Sequence, residues 1–324
     1  LSLQSMDANT LDVIDRSNIK LEKYDEIASE FRAAKLPLFI DLMLGLPGST
    51  VQSFRNDLQG AIDREVTAKV FQTELLVNSP MNEPSYRSKH DIETAVPLQS
   101  IMADDDERKN QRAFVIASST FTQDDYNQML ALRSIFTLCE NYGVLRQVSR
   151  YVRQEAGIEE IDFYDRVSAE SSHEWERWPA IAGAFKLAPA LGVPPVSWHY
   201  FIEEMRDFLV SRLGIADDRA LDTVLQVQHA MLPARGRSLP LNMELAHDYT
   251  AWHRAILAAK DSGQRDWSAH VPNLREFDPA VFVVEDPREV CTRGVGYRIE
   301  EAFHGDWELE SPVSRAMPGE HSVA

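Results

Sequence analysis

The first 80 residues alternate between apolar runs and segments in which apolar side chains have helical spacing. Leu1–Gln4 is typical of the end of a strand, and Leu38–Leu44 is almost continuously apolar apart from Asp41. Such a run is typical of a parallel strand that is covered on both faces. A third strand is predicted over Ala68–Val77. The pattern therefore favours an α/β fold that begins with a parallel sheet.

Segments with helical spacing lie between these strands. Asp7 is a residue type that caps helices, and the short helix after it carries Leu11. A second helix is predicted over Ile19–Lys35, whose apolar residues are spaced three or four apart. The turn Gly45–Gly48 follows the second strand, and Val51 opens the apolar face of a third helix. This order is that of repeated strand–helix units.

Polar residues stand at or near the ends of the three predicted strands. Gln4, Asp41 and Glu74 are separated by 37 and then 33 residues, which is the length of one strand–helix unit. Ligands of parallel strand–helix arrays gather at the carboxyl ends of the strands, so these residues are candidates for binding. Asp41 must be hydrogen-bonded or paired in its apolar strand, because unpaired burial is costly. A structural partner would satisfy it as well as a ligand hydroxyl would.

The pattern changes after about residue 80. Asn78–His90 is rich in Pro, Ser and Asn and is predicted to be a loop, and the acidic run Asp104–Glu107 is predicted to be solvated. Ala113–Thr122 is predicted as an isolated strand. Helices are then predicted over Asp124–Asn141, Val144–Glu155, Ile161–Ala169, Val196–Arg212, Asp218–Leu232 and Pro240–Lys260.

The C-terminal part of the chain is less regular. Short strands are predicted over Ala280–Val284 and Gly294–Glu301, and residues 308–324 are predicted to be a frayed, disordered tail. We therefore expect a first domain over residues 1–95, a helical domain over 96–307 and then the tail.

Charge and cysteine content narrow the classes of partner. The 324 residues carry 51 acidic and 33 basic side chains, and the net charge of −18 argues against nucleic acid or an anionic membrane. No apolar run approaches the ~18 residues needed to span a bilayer. The two cysteines are too few for a disulfide framework and fit a reducing compartment. These features predict a cytoplasmic protein.

Three stretches together resemble a known enzyme family. Leu3-Gln4-Ser5-Met6, Arg16 and the stretch Asp41–Gly48 are similar to strands four to six of the partial barrel of radical S-adenosylmethionine (radical SAM) enzymes. The loop over Asn78–Tyr86 and the stretch over Ser118–Tyr126 are most like the subgroup with a cobalamin-binding domain. The resemblance implies a partial (β/α) TIM-like barrel of about three strand–helix units, followed by a mostly α-helical C-terminal domain.

The resemblance also implies roles for individual side chains. Gln4 and Asp41 look like contacts to the ribose hydroxyls of S-adenosylmethionine, and Arg16 looks like the partner of its methionine carboxylate. Glu74 would flank the adenine through the backbone around it. Without the resemblance, an ion pair with a nearby aspartate of the same helix would be the preferred interpretation of Arg16.

The cofactors implied for the intact protein are S-adenosylmethionine, a [4Fe–4S] cluster and cobalamin. The implied reaction is radical methylation, or a rearrangement, of an unactivated carbon of a small-molecule substrate. The family holds its cluster on three cysteines in one short loop, which this sequence lacks, and Cys139 and Cys291 read as small buried hydrophobes. Because the sequence also opens at Leu1 within a strand, we expect a fragment whose own missing N-terminal half is a further partner.

Two other interpretations remain open. One is a non-catalytic remnant or interaction protein that keeps affinity for S-adenosylmethionine or for the missing half. The other is a radical enzyme of the porphyrin-pathway type, which usually has a histidine where Asn18 stands here.

Further polar pairs are better explained by packing or surface contacts. Glu244 and His247 have the i, i+3 spacing of di-iron bundles, but such sites need a second copy of the motif. His199 and Glu203 lie one helical turn apart, where an ion pair or a hydrogen bond is the default expectation. Four tryptophans are predicted to lie in the core or at the rim of the helical region: Trp175, Trp178, Trp198 and Trp252.

Overall fold

The chain forms two units. In the computed structural model the first unit spans Leu1–Ser134 and the second Ile135–Ala324. The residues that the structure describes are 2–17, 21–34, 36, 38–96, 113–141, 143–173, 198–232, 240–264, 266–285 and 313–317. The predicted domain boundary near residue 95 stays a prediction.

A parallel three-stranded sheet opens the first unit, as the sequence predicted. Its strands are β1 (Ser2–Gln4), β2 (Phe39–Leu44) and β3 (Thr67–Gln72), in the order β1-β2-β3. Ser2 pairs with Asp41, and Asp41 pairs in turn with Lys69. The described residues form no closed barrel, and the partial barrel stays a prediction.

The helices between these strands are also present. They are α1 (Ala8–Val13), α2 (Leu21–Ala33) and α3 (Val51–Asp63). The predicted cap Asp7 accepts a hydrogen bond from the backbone N–H of Thr10 at 2.8 Å, which satisfies an otherwise unpaired donor of the first turn.

The two faces of the parallel sheet differ in burial. Ile40, Leu42 and Leu44 of β2 are fully buried, whereas the alternate residues of the strand are half-buried. The sequence pattern predicted cover on both faces, and this expectation was wrong for one of them. We call that half-open side the Asp41 face, and it comprises Phe39, Asp41 and Met43 of β2 with Lys69 and Phe71 of β3.

A second sheet follows directly and corrects the predicted bounds of the third strand. The strands β4 (Glu74–Leu75), β5 (Glu93–Ala95) and β6 (Ala113–Ala117) pair antiparallel in the order β4-β6-β5. Thr73 joins the two sheets, because its N–H binds the carbonyl of Leu44 at 2.9 Å while its own carbonyl accepts from Val115 at 3.0 Å. Consequently β3 ends at Gln72 rather than Val77, and β6 is a central strand rather than an isolated one.

The segment from residue 78 to 90 is more ordered than the predicted loop. It contains a 3₁₀ turn over Pro80–Asn82 and the short helix α4 (Pro84–Lys89). Each begins with a proline, whose fixed φ suits the first helical position.

Most of the described residues after 122 are helical, as predicted. A π-helical turn, Thr137–Asn141, continues α5, where the sequence predicted one uninterrupted helix. The helices are α5 (Gln123–Phe136), α6 (Arg146–Ala156), α7 (Glu160–His173), α8 (Trp198–Leu213), α9 (Arg219–Met231) and α10 (Tyr249–Asp261).

The helix predicted over Pro240–Lys260 was wrong in its first part. Leu241–Leu245 is a strand, β7, and α10 starts only after Asp248, whose carboxylate accepts from the N–H of Ala251 at 2.8 Å. Exposure alternates along Leu241–Leu245, as expected of a strand. In so short a segment the apolar residues fit both the helical and the strand spacing, so the sequence pattern could not decide between them.

β7 belongs to an antiparallel sheet in the second unit. It pairs with β8 (Ala280–Glu285), a predicted strand, and β8 pairs with β9 (Val313–Met317). β9 lies within the stretch predicted to be a frayed tail. The predictions for Asp104–Glu107, Gly294–Glu301, Trp175 and Trp178 fall outside the described residues, whereas Trp198 and Trp252 are buried as predicted.

A buried ionic network ties three elements of the second unit together. The guanidinium of Arg150 donates to both carboxylate oxygens of Glu140, at 3.0 and 2.7 Å, and lies 3.7 Å from the carboxylate of Glu160. Tyr164 donates its hydroxyl to Glu140 at 2.6 Å, and Arg153 donates to Glu160 at 2.9 Å. Burial, reinforced by Glu140, raises the pKa of Tyr164 well above its ordinary value. The network fixes the π-helical turn against α6 and α7.

Candidate functional site

Gln4 and Asp41 lie on neighbouring strands, within one residue of each other in register. Gln4 ends β1 and pairs with Leu42, the residue after Asp41, and both candidate side chains are half-buried. Asp41 lies within β2 rather than at its end. The parallel order of the strands therefore places the backbones of these two predicted residues at neighbouring positions.

The backbone at Gln4 adopts a conformation that is uncommon for a residue with a side chain. Its φ is 61°, and the N–H of Ser5 donates to the carbonyl of Leu3 at 2.8 Å, so the chain turns sharply around Gln4. A non-glycine residue in the left-handed region costs about 1–2 kcal/mol. The surrounding structure must offset this cost.

Asp41 has a charged neighbour that the sequence analysis missed. Lys69 lies beside Asp41 on β3, but its ammonium points over the ring of Phe39, 4.9 Å from the centroid. Among the residues that the structure describes, the carboxylate of Asp41 makes no hydrogen bond or ion pair. An ionised carboxylate accepts several hydrogen bonds, so Asp41 keeps the capacity to bind ligand hydroxyls. The proximity of Lys69 to Asp41 follows from the pairing of β2 with β3 and has no signal in the sequence pattern.

The loops that follow β1 and β2 pack closely together. Gly48 has a φ of 92°, and a Cβ added to it would stand 2.8 Å from the Cβ of Val13. The side-chain amide of Asn9 donates to the carbonyl of Gly48 at 3.1 Å, and the N–H of Gly48 donates to the hydroxyl of Thr120 at 3.2 Å. Only glycine fits this contact between the turn and α1.

Arg16 lies on the exposed segment that follows α1. Its N–H donates to the carbonyl of Leu11 at 2.9 Å, and nearby the hydroxyl of Tyr86 donates to the carbonyl of Val13 at 2.9 Å. Within the described part of the chain, the Arg16 guanidinium forms no ion pair, so the surface pair with a neighbouring aspartate is not observed there. The carboxylate-binding role of Arg16 stays a prediction.

Glu74 lies in a different sheet from Gln4 and Asp41. It lies in β4, where it pairs antiparallel with Phe114, and so it is not in the parallel sheet that carries Gln4 and Asp41. The chain leaves that sheet one residue earlier, at Thr73. A role for this backbone in flanking adenine stays a prediction.

Asp57 is a second residue that the sequence analysis missed. It lies on α3 and is 4% exposed, and its carboxylate accepts from the hydroxyl of Ser5 and from the N–H of Met6, each at 2.7 Å. Burial, with a smaller contribution from the nearby Asp7, raises the pKa of Asp57 to about 6 against the lowering effect of these two hydrogen bonds. An acid next to Leu58 on the apolar side of α3 was the available signal.

The polar pairs considered outside this region do not form a metal centre. Nε2 of the exposed His199 lies 3.2 Å from the carboxylate of Glu203, a contact of the predicted kind. Glu244 lies on β7 and His247 before α10, so the two do not share a helix, and Nδ1 of His247 lies 3.0 Å from the carbonyl of Phe277. Among the described residues, no group of three or more His, Cys, Asp or Glu could hold a metal ion.

Two further observations bear on the chain as a whole. Cys139 is fully buried, as predicted, and burial raises its pKa well above the ordinary value, so its thiol is protonated. The helices that the structure describes are all too short or too polar to cross a bilayer.

Two characterised relatives are similar to about half of the chain. It is 28% identical over 171 residues to the cobalamin-dependent radical SAM methyltransferase TokK of Streptomyces tokunonensis, which is 51% of this chain and 25% of that protein. It is 27% identical over 173 residues to the 2-(S-pantetheinyl)-carbapenam-3-carboxylate methyltransferase of Streptantibioticus cattleyicolor, which is 52% of this chain and 25% of that protein. The matched stretch thus spans about a quarter of each relative. No protein-family model matches the chain.

Proposed function

We propose that this chain is part of a cobalamin-dependent radical SAM enzyme that transfers a methyl group to a small molecule. The observation that carries the proposal is the similarity of half the chain to two methyltransferases, one of them a cobalamin-dependent radical SAM enzyme. A substrate named for a relative is not assigned to this chain.

The adjacency of Gln4 and Asp41 supports a nucleoside site. A carboxylate accepts hydrogen bonds from the two hydroxyls of a ribose, while a glutamine amide can both donate and accept. Both side chains are half-buried, so a ligand can reach them while water is partly excluded. In this proposal Gln4 and Asp41 bind the ribose of S-adenosylmethionine and Arg16 binds its carboxylate through a planar, permanently charged fork.

The residues of this chain do not fit a [4Fe–4S] cluster. A cluster of this type is held by thiolates, and the two cysteines stand at positions 139 and 291, of which Cys139 is fully buried. The proposal assigns the ligands of the cluster and of cobalamin to parts of the protein beyond these 324 residues.

Calorimetric titration of the 324-residue chain with S-adenosylhomocysteine tests the nucleoside site. This probe has the ribose, adenine and amino-acid groups of S-adenosylmethionine without the reactive sulfonium. Asp41→Ala removes a charged acceptor, and hydrogen bonds to charged groups contribute about 1.5–3 kcal/mol, so we expect affinity to fall at least about tenfold. Glu30→Ala, an exposed helix position, is the control and should bind as the wild type does.

Two results would contradict the proposal: no binding by the wild-type chain, or equal binding by a folded Asp41→Ala variant. The genomic DNA upstream of the codon for Leu1 provides an independent test of the enzyme class. An in-frame Cys-x-x-x-Cys-x-x-Cys segment supports a radical SAM enzyme, whereas a nearby stop codon favours the non-catalytic remnant.

A further inference from the structure

We propose that Asp57 is a positioning residue whose carboxylate fixes the turn at Gln4 and thereby sets the affinity of the site for its nucleoside. This inference rests on the proposed function, since it deepens the role assigned to Gln4. It concerns a residue that neither the family resemblance nor the relatives assign to binding.

Asp57 accepts two hydrogen bonds from the residues just after Gln4. Each carboxylate oxygen of Asp57 accepts one of them, from the hydroxyl of Ser5 and from the N–H of Met6, which are the two residues directly after Gln4. The hydroxyl of Ser5 in turn accepts from the N–H of Asp7 at 3.1 Å. The side chain of Asp57 thus fixes the backbone between the end of β1 and the residue that caps α1.

The two hydrogen bonds of Asp57 lie directly next to a strained residue of the backbone. Gln4 has a φ of 61°, which its own side chain disfavours, and such a conformation persists only where neighbouring contacts impose it. Met6 adds a packing contact on the same side, because a Cβ on Gly60 of α3 would stand 2.9 Å from its sulfur. The turn is therefore docked on α3 by Asp57 and by Met6 together.

The carboxylate of Asp57 can also take up a proton near neutral pH. Burial, and to a smaller extent the charge of the nearby Asp7, raises the pKa of Asp57 to about 6, against the lowering effect of the hydrogen bonds from Ser5 and Met6. When the carboxylate is protonated, one of its oxygens becomes a hydroxyl and accepts hydrogen bonds poorly. The hydrogen bond from Ser5 or from Met6 is then weakened. The site should therefore lose affinity as pH falls through about 6, because Asp57 of α3 becomes protonated.

The test is a titration with S-adenosylhomocysteine at pH 7.5 and pH 5.0, using the full 324-residue chain. Asp57→Asn keeps the shape of the side chain but not its charge, so it imitates the protonated acid at both pH values. We expect about tenfold weaker binding by this variant at pH 7.5, the loss of one charged hydrogen bond, with no further change at pH 5.0. The wild type should approach the affinity of the variant only at pH 5.0.

The matched control is Asp63→Asn, the same substitution on the same helix at a half-exposed position. It should follow the wild type at both pH values. Near-ultraviolet circular dichroism of each variant checks that the fold is retained. If Asp57→Asn does not fold, Ser5→Ala replaces it, since this change removes one of the two bonds and leaves the acid in place; it should weaken binding about threefold to tenfold.

The possible failures can be told apart. Absence of binding by the wild type at pH 7.5 overturns the proposed function and this inference with it. Binding by the wild type together with equal affinity of a folded Asp57→Asn at pH 7.5 overturns this inference alone. A parallel decline of wild type and Asp57→Asn between the two pH values also overturns it, because the decline would then come from another group.

Discussion

The buried network around Arg150 makes a quantitative stability prediction. Arg150→Met keeps most of the side-chain volume but removes the guanidinium that pairs with Glu140 and faces Glu160. Arg150 is completely buried, and breaking a buried ion pair costs about 3–5 kcal/mol, since it leaves an uncompensated charge. Both acids keep another partner, Tyr164 for Glu140 and Arg153 for Glu160. We therefore expect the lower end of the range, about 3 kcal/mol.

The sequence offers a selective assay for this change. All six tryptophans lie after residue 134, so tryptophan fluorescence follows the unfolding of the second unit alone. A domain of this size loses about 2–4 °C in its unfolding midpoint per kcal/mol, and Arg150→Met should lower the fluorescence midpoint by about 6–12 °C. Arg219→Met, at an exposed helix position, is the matched control and should stay within about 2 °C of the wild type.

The double variant Glu140→Gln/Arg150→Met separates an ionic effect from a packing effect. Removing both charges leaves less uncompensated charge in the core, so the double variant should be more stable than Arg150→Met alone. A midpoint for Arg150→Met within about 2 °C of the wild type, or a double variant that loses the sum of the two single losses, would refute the reasoning.

Three further predictions concern other contacts. Asp57 has a pKa of about 6 when folded, above the ordinary value of 3.8, so the native state binds the proton more tightly. The free energy of unfolding of the first unit should therefore fall by about 2 kcal/mol as pH rises from 4 to 6.5. Far-ultraviolet circular dichroism melts should show this fall relative to Asp57→Asn, and a constant difference between the two proteins would contradict it. Gly48→Ala should destabilise the first unit by about 2–4 kcal/mol through its positive φ and its clash with Val13, again measured by melting, and an unchanged midpoint would mean that the turn can move away. Gln154→Leu should lower the tryptophan-fluorescence midpoint, because it leaves the buried indole N–H of Trp252 without its acceptor at 2.9 Å, at a cost of about 1–3 kcal/mol; Gln154→Glu, which keeps an acceptor, should lose less.

The parallel sheet could be predicted because its signals are local. An apolar run such as Leu38–Leu44, a cap such as Asp7 and the turn Gly45–Gly48 each act over a few residues, and together they fix the order of strands and helices. The second sheet could not be predicted in this way. Its central strand pairs with residues far away in sequence, through the bonds that Thr73 makes to Leu44 and Val115.

The positions of Gln4 and Asp41 in the fold were predictable to the same extent. Gln4 and Asp41 lie on neighbouring parallel strands, one residue apart in register, and the strand–helix order implies this neighbourhood. Lys69 depends on the register between β2 and β3, and Asp57 depends on how α3 docks under the turn after β1. Neither relation leaves a periodic signal in the sequence, so both side chains emerge only from the fold.

Three departures from local rules coincide in this part of the first unit. Gln4 has a positive φ, Asp41 places a charge in an apolar strand, and Asp57 places one on the apolar side of a helix. Each is unfavourable by itself, and natural sequences retain such departures mainly where function requires them. Here they are linked physically: Asp57 holds the two residues after Gln4, and Gln4 pairs beside Asp41. Asp15, Glu65 and Asp91 of the same unit also have a positive φ, so backbone strain alone does not mark a site. What distinguishes Gln4 is that it lies next to Asp41 on the neighbouring strand and that Asp57 holds the two residues after it, and the proposed nucleoside site rests on this juxtaposition.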